Sequence, residues 1–180
     1  MPTDSPVLHV PAAAWPLRKL QDHSGCYHYG LWADERAIVA SDGCMMVWHD
    51  VEQAQPMPPT WRLEILRVPS ARADDVIEVP LALGYHALTL PDDRYAVVRL
   101  VDCGEPYPAW RRLVEEKRKE ARGTPIGFDA AILLRLAEMM PRGGSSESRR
   151  VALSPGPGPL SAVTHDHGNA HAIIMPMRMD

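Results

Sequence analysis

Residues 36–51 read RAIVASDGCMMVWHDV. Two apolar runs flank Asp42-Gly43, and an Asp-Gly pair between strand-like runs is a hairpin turn signal. Gly tolerates positive φ, and Asp bonds to its own local backbone. Asp42 is therefore read as a turn residue and not as an acid catalyst. Upstream, YHYGLWAD (residues 27–34) reads as another strand, joined to the hairpin by the turn Asp34-Glu35. Three neighbouring strands of antiparallel sheet follow from this stretch alone.

Working outward, residues 7–10 form a strand. A short helical stretch covers residues 16–22, with Pro16 expected only in its first turn. The proline-rich QAQPMPPT, residues 53–60, is a connector. WRLEILRV (61–68), DVIEVPL (75–81) and RYAVVRLV (94–101) are three further strands, whereas residues 81–90 read either as a short helix interrupted by Gly84 or as a loop. Trp110, Leu113 and Val114 give a brief apolar helical face before the charged run EEKRKEAR. A third helix has Asp129 as N-cap and Leu133, Leu136, Ala137 and Met140 at i, i+3, i+4 and i+7, stopped by Pro141 and Gly143-Gly144. RRVALSPG, PLSAVTHD and AHAIIMPMRM are closing strands, with PGPGP and HDHGNAH as turns. The class is α+β, with helices on one side of antiparallel sheet.

Composition narrows the function. The 180 residues carry a formal net charge of −4, so any nucleic-acid contact needs a local basic face. Three scattered cysteines, Cys26, Cys44 and Cys103, argue for a reducing cytoplasm and against a disulfide scaffold or a cysteine-only zinc site. No apolar run is long enough to span a membrane, and MPTDSPVLHV has neither the basic nor the apolar region of a signal peptide. No Ser/His/Asp order, P-loop or GxGxxG is present, and no cofactor is expected. His165, Asp166, His167 and His171 have spacing that can bind zinc. A Gly- and Asn-bearing stretch between strands is better read as a polar hairpin loop, so no metal is expected there.

Three separated stretches resemble the bacterial DNA sliding clamp, the β subunit of the replicative polymerase. VASDGCMM (39–46) resembles the family's "ATDGHRL", VDCGEPYPAWRRL (101–113) its "VDGRFPDYRRV", and IIMPMRM (173–179) its "VVMPMRL". Between them, IEVP (77–80) resembles "VIVP", and IGFD (126–129) before an amphipathic helix resembles "IGFN". All five fall in the family's order. The resemblance implies a DNA-clamp-like fold of βαβββ units. Residues 1–122 would correspond to the clamp's middle domain, and residues 123–180 to the second half of its last domain.

What the resemblance implies is a non-enzymatic protein with a pocket for clamp-binding peptide motifs of polymerases and repair factors. The pocket residues carried over are Ser41, Gly43, Cys44, Met45, Met46, Pro108, Arg112, Leu113, Ile173, Ile174, Met175, Pro176, Met177, Arg178 and Met179. Five of the chain's nine methionines lie in this set. Flexible thioethers suit a slot that takes varied side chains. Cys44 and Met45 replace the family's His and Arg, which makes that wall more apolar. Arg18, Lys19 and Arg135 would meet duplex DNA through phosphates, without sequence preference.

Two functions from different classes remain open. One is a small homo-oligomeric ring around DNA. The family's rings use about a dozen inner helices, so a chain with three would close at about four copies and one with two at about six. The other is a peptide-binding module that competes for or recruits clamp partners without encircling DNA. A degenerate structural subunit is the weaker third.

Overall fold

The computed structural model describes residues 6–21, 30–42, 45–53, 55–119, 134, 136, 138, 139, 163–167 and 170–174. Among these residues lie ten strands, β1 (Val7–Pro11), β2 (Leu31–Ala33), β3 (Ala37–Ser41), β4 (Met45–Asp50), β5 (Trp61–Arg67), β6 (Val76–Pro80), β7 (Gly84–Leu90), β8 (Arg94–Asp102), β9 (Val163–His167) and β10 (Ala170–Ile174). A 3-10 helix spans Ala12–Leu20, and helix α1 spans Trp110–Lys119. Leu134, Leu136, Glu138 and Met139 are also helical.

Eight strands form one sheet in the order β7-β8-β5-β2-β3-β4-β10-β9, and β1 pairs with β6 in a separate two-stranded ribbon. Every pairing is antiparallel. The sheet is continuous from the first region into the last, because β10 hydrogen-bonds along β4 with Ile173 opposite Met46 and Ile174 opposite Met45.

The turns form as their side chains dictate. Asp34 Oδ1 accepts from the Arg36 and Ala37 amides at 2.8 and 2.9 Å, closing β2 onto β3. Asp42 Oδ1 accepts from Met45 N at 2.8 Å, closing β3 onto β4. Two glutamines stand in for strand neighbours. Gln53 exchanges both amide bonds with the His9 backbone (2.9 and 2.7 Å), and Gln21 does the same with Ile65 (2.8 and 3.0 Å), where β5 is irregular.

One face of the sheet carries the main core. Leu31, Ile38, Ala40, Met45, Val47, Leu63, Val98, Leu100 and Ile174 pack there against Trp15, Leu17 and Leu20 of the 3-10 helix and against Leu136 and Met139. Strand alternation sends Ala37, Val39, Met46 and Trp48 to the other face, where Tyr107, Trp110 and Val114 cover them. The helical elements are thus divided between the two faces of β3 and β4.

Three expectations need correction. The first helix begins at Ala12, not near Pro16, and Pro16 lies inside it. Proline's fixed φ fits the helix, and Ala12, Ala14, Trp15, Leu17 and Leu20 supply enough buried apolar surface to carry the missing N–H. Residues 84–90 are strand β7, paired with β8 throughout, because Asp92 and Asp93 at positive φ (61° and 56°) make the tight turn that returns the chain. The histidine stretch is strand on both sides: His165, Asp166 and His167 belong to β9 and His171 to β10. RRVALSPG, PGPGP, Asp129, Leu133, Ala137 and Met140 lie outside the described residues.

Candidate functional site

Helix α1 is set on the sheet by what precedes it. Tyr107 N donates to Pro59 O at 2.8 Å, and the Tyr107 ring stacks on Trp32 (centroids 5.6 Å, planes 10° apart). Beneath it, the fully buried Arg62 spends its guanidinium on the carbonyls of Pro59, Trp61 and Glu105. From that platform Trp110 and Val114, four residues apart on one helical face, descend onto β4. Trp110 meets Trp48 at 5.3 Å between ring centroids. Leu113 remains 38% exposed beside them.

The described parts of the three stretches singled out in the sequence therefore lie on adjacent elements. Ser41 opposes Met46 across β3 and β4, and Met46 opposes Ile173 across β4 and β10. The segment around Pro108 and Leu113 lies over the outer face of the same strands. Their depths differ. Met46 is 9% exposed and faces α1, whereas Met45 and Ile174 are fully buried in the main core. Ser41 is buried, Pro108 is half-buried, and Arg112 is exposed and pairs with Glu116 at 3.4 Å. Gly43, Cys44, Met175, Pro176, Met177, Arg178 and Met179 lie outside the described residues, and the side chain of Ile173 is not described.

Charged groups frame this outer face. Arg111 grips Asp34 through two bonds of 2.9 Å and covers Trp110 at 4.2 Å. This ties α1 to the β2–β3 turn. His171 stacks on Trp48 at 5.2 Å with planes 14° apart, and its Nε2 meets Asp50 at 3.0 Å. On the core side, burial and the neighbouring His171 hold His49 neutral, its pKa lowered from 6.5 to about 4. Among the described residues, no group of three or more His, Cys, Asp or Glu side chains is placed to hold a metal ion.

Structures of DNA polymerase III β subunits share this fold. A chain assigned as such a subunit from Eubacterium rectale superposes with a TM-score of 0.55 at 10% identity, over 99% of this chain and 68% of the other. The subunit from Borrelia burgdorferi gives 0.54 at 8% identity, over 100% and 66%. The Pseudomonas aeruginosa sliding clamp gives 0.53 at 15%, over 97% and 67%. The fold is that of a DNA sliding clamp. The chain spans about two thirds of the length of these structures. No protein-family model and no curated protein matches the sequence.

The 3-10 helix and the helical residues Leu136 and Met139 pack on the same, main-core face of the sheet. Arg18 is half-buried there, and Lys19 is exposed but ion-paired with Glu138. Arg135 lies outside the described residues. No helix among the described residues is long and apolar enough to cross a membrane.

Sequence reasoning missed Trp48, His171, Tyr107 and Arg62 as builders of this site. The available signal was the alternation Met46-x-Trp48, which puts both on one strand face. Arg62 had none, since a lone arginine in a strand reads as exposed.

Proposed function

We propose that this chain is a small, non-enzymatic, sliding-clamp-like protein that holds the clamp-binding peptide motifs of replication and repair proteins. It would act in the cytoplasm on the outer groove between α1 and strands β3, β4 and β10. The observation that supports this most is the meeting of the Ser41–Met46, Pro108–Leu113 and Ile173–Ile174 stretches on neighbouring elements. Leu113 and Pro108 offer an apolar anchor site at its accessible margin, over the buried Met46. Met175, Pro176, Met177, Arg178 and Met179 follow Ile174 in the sequence and belong to the same proposed pocket. One hydrophobic anchor with a polar rim suits weak, exchangeable partners.

The test is titration with a labelled pentapeptide or hexapeptide of the type Gln followed by Leu- and Phe-rich residues. Affinity on the order of micromolar is expected for such a small interface. Leu113→Glu and Met177→Glu should each weaken it at least tenfold while the fold persists, because a charge in an apolar contact goes unsolvated. No binding by the unmutated protein would sink the reading.

A second function rests on a separate observation. The sheet ends in β7 and β9, each with one strand neighbour among the described residues. Open edges of this kind can pair head to tail between copies and close a homo-oligomeric ring around duplex DNA. Lys19 bound to Glu138 offers less to phosphate than a free lysine would, so the peptide-binding module stands ahead of the ring.

A further inference from the structure

Next to the apolar margin lies a cavity of about 250 Å³ lined by Trp48, Trp110, Val114, Asp50, Glu115 and His171, with Arg111 at its edge. Its charges do not balance. Arg111 is already committed to both oxygens of Asp34. Asp50 has one oxygen against His171, and its side chain is still 53% exposed. Glu115 is exposed, with no ion pair among the described residues. Two carboxylates therefore stand over an apolar floor whose indoles are nearly covered, Trp48 at 5% and Trp110 at 3% exposure.

We propose that this cavity is a second binding subsite, which takes a basic side chain, lysine or arginine, of the peptide held in the neighbouring groove. The proposal rests on the peptide-binding reading for the rest of the ligand. An alkyl stem would lie along Val114 and the Trp110 edge, and the cationic head would sit between Asp50 and Glu115. An acidic side chain would face two carboxylates and be rejected, so the subsite adds selectivity as well as affinity. His171 acts as a positioning residue: stacked on Trp48 and bonded to Asp50, it fixes the carboxylate toward the cavity.

The experiment uses motif peptides carrying Lys, norleucine or Glu at each position immediately outside the motif, titrated against the full chain. One Lys position should bind at least fivefold more tightly than its norleucine counterpart. That gain should vanish in the Asp50→Asn/Glu115→Gln double variant and shrink at high salt. Equal affinity of the Lys and norleucine peptides at every position would overturn the subsite while leaving the groove intact. If no motif peptide binds, the groove reading fails, and the tripeptide acetyl-Gly-Lys-Gly-amide decides the subsite by itself. Millimolar shifts of the Trp48 and Trp110 indole NMR signals, absent in the double variant, would support it; unshifted signals would overturn it.

Discussion

The Arg62 guanidinium lies 4.8 Å from the centroid of the Tyr107 ring, with its side chain wholly buried. The pair joins β5 to the segment that launches α1, so the outer face of the sheet depends on an interior cation. Gly30 allows it: its φ is +84°, and a Cβ there would come within 3.1 Å of Arg62 Cβ. Arg62→Met keeps most of the stem but leaves the carbonyls of Pro59, Trp61 and Glu105 without their donor. The expected loss is about 3 kcal/mol of unfolding free energy, since buried acceptors cost roughly 1–3 kcal/mol each when orphaned and some will find water. Urea unfolding measures it, and near-UV circular dichroism should report a weakened Trp32–Tyr107 stack. A change under about 0.5 kcal/mol, the range of ordinary surface substitutions, would contradict this role for Arg62.

The hairpins were legible because short acidic side chains at Asp34 and Asp42 announce their turns locally. Strand β7 was not, since its outer positions Tyr85, Ala87 and Thr89 are exposed and its pairing with β8 is a tertiary fact. The site was legible as three stretches but not as a surface. Met45 and Met46 are equivalent in composition, yet strand alternation buries one in the main core and turns the other toward α1. Nothing in a single sequence says which of two adjacent methionines faces which side until the neighbours of both faces are known.

His49 should make the fold sensitive to acid. It is 1% exposed, and its Nε2 has no hydrogen-bond partner among the described residues. Burial is the main cause of its lowered pKa, followed by the nearby His171. The unfolded chain takes up this proton near pH 6.5, the folded chain only near pH 4. Above pH 6.5 both forms are neutral and His49 has no effect on the balance. As pH falls from 6.5 to about 4, only the unfolded state is protonated, and stability drops by up to about 1.4 kcal/mol per pH unit. Asp75, bonded to Arg94 and lowered to about 2, acts in the same direction at lower pH: its contribution is present above about 3.8 and is lost on acidification toward 2. Stability measured by chemical denaturation at successive pH values should fall across the His49 window in the natural protein and flatten there in His49→Gln. Identical slopes for the two proteins would remove His49 from the account.

Assembly decides whether the clamp fold is used as a ring. Among the described residues, β7 and β9 stand at opposite ends of one continuous sheet, which suits head-to-tail pairing between copies. A ring should sediment as one discrete oligomer. The 3-10 helix and the helical residues Leu136 and Met139 share the main-core face while α1 lies on the other, so about six copies would be needed to supply about a dozen inner helices. It should stay on a nicked circular DNA through a salt wash and leave once the circle is cut, because a topological link survives salt but not a free end. A phosphate-binding patch behaves in the opposite way, releasing DNA as salt rises whether or not ends are present. Arg18→Glu, Lys19→Glu and Arg135→Glu together should speed loss from the circle without changing the oligomer. The Lys19 change also breaks its pair with Glu138, an exposed contact worth at most about 1 kcal/mol, so the fold should tolerate it. A particle that remains monomeric or dimeric, with DNA retention indifferent to ends, excludes the ring. The outer groove would then be the working surface of the chain, and its partners would be peptides alone.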